Sequence, residues 1–378
     1  MKKYLFIALA AAGMLSSCSS DDTVANESIN PDLVPIKVGM GNIATAVTRG
    51  TGTVGANGNW NGEQVQVYMF EQGTVNLAQG DGGDIFNNAA FTTPTGTTGA
   101  GEWATYTGTK YYPASGNFDF WGYRAEDAVD PANIAIDPAA GTVTLPFVID
   151  GSQDLMGAKA ALTTGQEDLL TENGAKMANA TRFYSAFAAR KGVQPNMIFK
   201  HLLSRFTFEV KAGNADAADA TNPVEITGIR VISKATGDLV INATAAAPAI
   251  EWSQAAAVAL SLANVDATNA FSLAGNSDYD QIADALLVAP GESQYAIEID
   301  MRQDKPGLTQ PWTDTYATTI TIPALDPTDP NYVATPVAEA GNSYKVKLIV
   351  YGLEEIKVET VLDAWKAYPE TIDIDPDL

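Results

Sequence analysis

The chain has 378 residues, a formal net charge of −23, one cysteine and one histidine. So acidic a surface repels nucleic acid and anionic lipid, and one cysteine with one histidine builds neither a disulfide framework nor a His/Cys metal site. With 46% hydrophobic residues the chain can bury real cores, and its length suits two domains of ordinary size.

Residues 1–17 read as a leader. Lys2 and Lys3 precede an apolar run over residues 4–15, shorter than the roughly 20 residues that span a bilayer. That pattern is a secretory signal peptide. Leu15-Ser16-Ser17-Cys18 resembles a lipobox, in which cleavage precedes the cysteine and its thiol takes a diacylglycerol; an ordinary signal peptide with an incidental cysteine is the alternative. Cys18 is therefore the expected lipidation site, holding an exported chain on the outer membrane by lipid rather than by a helix. Ser19-Ser20-Asp21-Asp22 resembles the surface-export signal of Bacteroidetes-type lipoproteins.

Short strands follow. Ile36-Lys37-Val38-Gly39-Met40 alternates, with Ile36, Val38 and Met40 on one side. Arg49 is the only Arg or Lys between Lys37 and Lys110. It sits with Gly50 in a small-residue, glycine-rich stretch of the kind proteases reach. Gln64 to Phe70 puts Val65, Val67 and Met69 on one face. Lys110 to Tyr123 holds two aromatic segments around a Pro-Ala-Ser-Gly-Asn turn. Further extended runs are Gly141 to Ile149, Phe206 to Lys211, Ile226 to Ile232, Tyr295 to Met301, Tyr344 to Tyr351 and Ile356 to Leu362. Short alternating strands separated by turn residues predict an all-β fold of antiparallel sandwiches. Helix is expected only in short pieces, Gln166 to Glu172 and Tyr279 to Leu286. A pair of extended segments recurs after Asn196 and sets a domain boundary near Pro195. The organisation is then a leader (1–17), an N-terminal segment (18–49), one sandwich (50–195) and a second (196–378).

The tail after Trp365 alternates again. Tyr368, Glu370, Ile372, Ile374, Pro376 and Leu378 share one face; Thr371, Asp373, Asp375 and Asp377 share the other. Such a strand can enter a groove with its acids facing water, and Pro369 and Pro376 confine its ladder to the middle. A frayed tail or a last in-domain edge strand is the competing reading.

Several segments in order resemble the fimbrillin family, the FimA-type (type V) pilins of Bacteroidales. They are Tyr111-Tyr112-Pro113 with Phe118-Asp119-Phe120-Trp121-Gly122-Tyr123, then Asp154-Leu155-Met156-Gly157-Ala158, then Phe199-Lys200-His201-Leu202-Leu203-Ser204-Arg205. Leu286 to Pro290 and the closing stretch from Gly341 to Trp365 complete the set. The resemblance implies two tandem transthyretin-like sandwiches and a structural fimbrial subunit that supports adhesion. It implies an arginine-specific protease that cuts after Arg49 and removes the first strand with the lipid. It implies a head-to-tail polymer in which Tyr368, Ile372, Ile374 and Leu378 enter a neighbour's groove. A surface glycan or protein receptor would be a further partner.

No catalytic residues or cofactor are expected. His201 lies in an apolar strand context without a nucleophile elbow, and the carboxylates are scattered through turns. A surface glycan-binding lipoprotein remains a rival, with Trp60 and Trp312 the tryptophans best flanked for exposure; Trp121 and Trp365 read as core. An anchor or tip subunit of the same fimbriae is the other alternative.

Overall fold

The computed structural model describes residues 33–41, 60–95, 103–172, 175–176, 184–253, 256–307, 309–324, 327, 333–352 and 356–363. Five-stranded and four-stranded sheets dominate, so the fold is all-β as the alternation predicts.

The first large sheet is built on Phe118–Arg124, which pairs antiparallel with Gln64–Glu71 on one side and Met156–Lys159 on the other. Ala89–Thr92 and Lys200–His201 form its edges. Every residue of Phe118–Arg124 is buried, because the sheet is covered on both faces. Val65, Val67, Met69 and Phe120 face one apolar cluster. Tyr68, Phe70, Trp121 and Tyr123 face another. Phe120 packs edge-on against Tyr184 and Tyr112, at 5.6 and 6.2 Å between ring centres.

The second cluster is roofed by a sheet in the order Ala249–Trp252, Thr236–Asn242, Thr142–Val148, Ala135–Asp137. Its central ladder, Thr142–Val148 against Thr236–Asn242, joins residues on either side of Pro195. The chain beyond Leu203 supplies two more sheets around Phe206, Phe208, Ile229, Ile297, Val346 and Leu348. In one, Ser204–Ala212 lies between Asp280–Val288 and a parallel partner, Ser343–Val350, which pairs in turn with Ile356–Asp363. In the other, Val224–Ser233 pairs with Val258–Ser261 and Gln294–Gln303, and the latter with Trp312–Thr321.

The helix expected over Gln166 to Glu172 is present as Thr164–Leu169, opened by a capping box between Thr163 and Gln166. The helix expected over Tyr279 to Leu286 is a strand, Asp280–Val288. Residues 283–285 oppose Thr207 alone, and Ala283 takes a φ of +51°. This bulge breaks the alternation and leaves Ile282 and Leu286 at helical spacing, while pairing with Ser204–Ala212 imposes the strand.

Two segments far apart in sequence meet in a buried pair. His201 Nδ1 lies 2.9 Å from Asp154 Oδ1 and 2.8 Å from Oδ2; facing a carboxylate, the ring nitrogen is the donor. Arg124 Nη1 is 3.9 Å from the same carboxylate, and its Nη2 is 2.5 Å from Glu126. Burial pushes the Glu126 carboxyl up against the pull of Arg124. Breaking a buried pair from one side strands the other partner. Asp154→Ala is expected to lower unfolding free energy by about 3–5 kcal/mol, read as a fall in the urea midpoint; a loss under about 1 kcal/mol would make the pair a solvated contact.

Candidate functional site

Residues 34–41 cross the first apolar cluster as an extended segment. Val38 and Met40 are fully buried, Val34 nearly so, Ile36 is half-buried, and Pro35 and Lys37 are exposed. The alternation in the sequence thus points its apolar side inward. On one flank, Pro35 bridges Tyr111 and Gly39 bridges Trp103, both antiparallel. Ile36 N donates to Lys110 O, Tyr112 N to Val34 O and Ala104 N to Val38 O, at 2.8–2.9 Å. On the other flank, Gly39–Met40 pairs parallel with Asn196–Met197. Gly39 N donates to Pro195 O at 2.8 Å, and Gly41 N to Met197 O at 2.9 Å.

Side chains complete the groove. Gln194 grips the segment with both ends of its amide: Nε2 donates to Pro35 O at 3.0 Å and Oε1 accepts from Lys37 N at 3.2 Å. Its Oε1 also accepts from Tyr112 Oη at 3.3 Å, and burial pushes the Tyr112 phenol well above its ordinary value, so it stays a donor. The backbone at Gln194 is fixed by Gln166 Nε2, which donates to its carbonyl at 2.7 Å. Trp60 Nε1 donates to Gly41 O at 3.1 Å, with its ring edge-on to Phe199 at 5.3 Å. The Lys37 ammonium sits 5.5 Å above Trp103. Gly122 sets the depth of the floor: a Cβ there would meet Phe199 at 2.8 Å and Met197 at 3.0 Å, a close approach that only glycine allows.

Gly41 and Trp60 bracket the stretch that carries Arg49. The Trp60 indole and the Gly41 carbonyl, one on each side of that stretch, are hydrogen-bonded to each other. Cys18, Arg49, Gly50, Trp365, Tyr368, Ile372, Ile374 and Leu378 lie outside the described residues. Trp60 corrects an expectation: it is 2% exposed, because its indole closes the groove and cannot serve as a sugar platform. Trp312 is 42% exposed and Trp121 is fully buried, both as read from sequence. His201 is buried and engaged with Asp154. Among the described residues, no three His, Cys, Asp or Glu side chains converge to hold a metal, and no helix is long and apolar enough to cross a membrane. Gln194 escaped the sequence reading, since a lone glutamine between Val193 and Pro195 carries no pattern.

Among curated proteins, none matches this sequence. A solved structure of a proposed cell adhesion protein from Bacteroides uniformis is 15% identical, covers 88% of this chain and 98% of its own, and superposes with a TM-score of 0.47. The fimbrial anchor protein Mfa2 from Porphyromonas gingivalis is 12% identical, covers 89% and 100%, and gives 0.33. The family model described as fimbrillin-like matches residues 48–365. That match spans most of the sequence, and the chain belongs to the fimbrillin-like family.

Proposed function

We propose that this protein is a structural subunit of cell-surface fimbriae. It is made as an outer-membrane lipoprotein through Cys18, trimmed after Arg49 by an arginine-specific protease, and polymerised head-to-tail by strand exchange in support of adhesion to a surface glycan or protein. The observation that supports this reading is the segment 34–41, which precedes the Arg49 stretch and lies extended in an apolar groove.

The energetics favour replacement over loss. Burying Val38 and Met40 contributes about 1.5–3 kcal/mol each. Departure of the segment would expose those sites and deprive Trp60 Nε1, the Gln194 amide and the carbonyls of Pro195 and Met197 of their partners in it. An incoming strand restores both kinds of interaction, which is β-augmentation. The tail 368–378, with Ile372 and Ile374 on one face and acids on the other, has the required pattern. Donation from one end of a subunit to a groove at the other does not close on itself and so propagates as a filament. In this reading the groove is built by residues 50–195 together with Asn196, Met197 and Phe199, and the tail 368–378 is the donor.

The chain starting at Ser19, treated with an arginine-specific protease, tests the reading by intact mass and gel. One cut after Arg49 followed by a ladder of stable polymers is expected of a stalk subunit. Resistance at Arg49, or a clean cut with monomers only, would overturn that role in favour of an anchor, a tip or a glycan binder. Ile372→Asp with Ile374→Asp should leave the monomer folded by circular dichroism yet abolish the ladder; unchanged ladders would remove the tail as donor. Gln194→Leu deletes two hydrogen bonds to the segment, worth about 0.5–1.5 kcal/mol each. After cleavage, the released 19–49 peptide should then separate roughly 10-fold faster on size exclusion; an unaltered rate would mean that Gln194 does not hold the segment.

A further inference from the structure

We infer that the donor tail enters the groove in the same direction as residues 34–41 and in one register, with Tyr368 in the place of Val34 and Ile374 in the place of Met40. The inference rests on the strand-exchange reading and specifies its partner segment residue by residue.

Three constraints select this register. The first is the apolar pair. The groove takes two fully buried side chains two residues apart, Val38 and Met40. The tail has one pair of aliphatic residues at that spacing, Ile372 and Ile374. Both sites are filled if Ile372 replaces Val38, and the half-buried slot of Ile36 then receives Glu370.

The second is proline. In the register above, Pro369 falls on Pro35 and Pro376 falls one place beyond Gly41. A proline has no N–H to give, and position 35 is where the resident strand itself has none. The N–H groups that the groove does use belong to Ile36, Lys37, Gly39 and Gly41. They correspond to Glu370, Thr371, Asp373 and Asp375, all of which can donate. Sliding the tail by one residue would turn Ile372 and Ile374 outward. Sliding it by two toward its C-terminus would bring Pro376 onto Met40 and put Ile374 on Val38 with Ile372 on Ile36, leaving the deepest slot to a proline.

The third is what the outward face meets. Thr371 takes the place of exposed Lys37 and so stays at the rim. Gln194 would grip Pro369 O and Thr371 N, and Trp60 would donate to Asp375 O. Two positions fit poorly: Asp373 falls on Gly39, which is buried, and a Cβ at Gly41 would lie 2.9 Å from Ile198 Cγ1. Asp375 brings such a Cβ, so the tail is strained where the ladder ends.

Disulfide mapping of polymers made from the chain starting at Ser19, which lacks Cys18, tests the register. Bridged partners across an antiparallel pair lie within disulfide reach. The pairs to compare join Trp103→Cys with Thr371→Cys, Asp373→Cys or Asp375→Cys, and Tyr111→Cys with Pro369→Cys. Ladders that survive boiling in SDS without reductant are expected for Trp103 with Asp373 and for Tyr111 with Pro369, at least tenfold above the other pairs. Polymers that cross-link best through Thr371 or Asp375, or through Asp373 but not Pro369, or through none, would overturn register or direction while strand exchange stands. Absence of polymer from the cleaved, cysteine-free parent would instead remove the strand-exchange reading itself. Asp375→Gly gives an independent check. Relief at the Gly41 slot should raise the temperature at which polymers dissociate; an unchanged or lower temperature would count against the register.

Discussion

Phe118–Arg124 has no wet face, and the rest of the molecule is arranged around that constraint. A strand buried on both sides needs two covers. One is a regular sheet built on Thr142–Val148 and Thr236–Asn242. The other is assembled from short pieces around Val38, Phe86, Phe91, Tyr112, Tyr184 and Phe199. A regular sheet cannot shed a central strand without losing ladders on both edges. Residues 34–41 belong to the patchwork cover and are held by isolated bridges, a two-residue ladder, Gln194 and Trp60. Hydrogen bonds on both flanks and deep apolar burial hold the segment together, so in the proposed exchange an incoming strand has to supply both.

The same logic separates affinity from attraction. In a chain with a net charge of −23, copies repel at long range, so the proposed association would have to come from local burial and backbone pairing. In the proposed exchange the inward face of the tail has to match the groove position by position, and that match would confer the specificity.

Much of this was legible in the chain. Period-two alternation located Gln64–Glu71, Phe118–Arg124, Val224–Ser233 and Gln294–Gln303, because one-sided or two-sided burial of a strand writes itself into alternate residues. It also marked Ile36, Val38 and Met40 as one face. It failed at Asp280–Val288, where the bulge at residues 283–285 erases the period and a helical spacing remains. It failed at Trp60 as well. Neighbouring glycine and asparagine say that a chain turns, not which way the indole points.

The sequence alone determined the apolar faces, the turn positions, the single cysteine and the isolated Arg49 around which export and processing are read, and the family pattern. These are local properties, each set by a few consecutive residues. Only the tertiary structure decided that Asp154 meets His201, that Gln194 reaches back to Pro35 and Lys37, and that Gly122 lies beneath Phe199 and Met197. Those contacts join residues far apart along the chain. Their partners are chosen by which sheet covers which, and no periodicity within one segment records that choice.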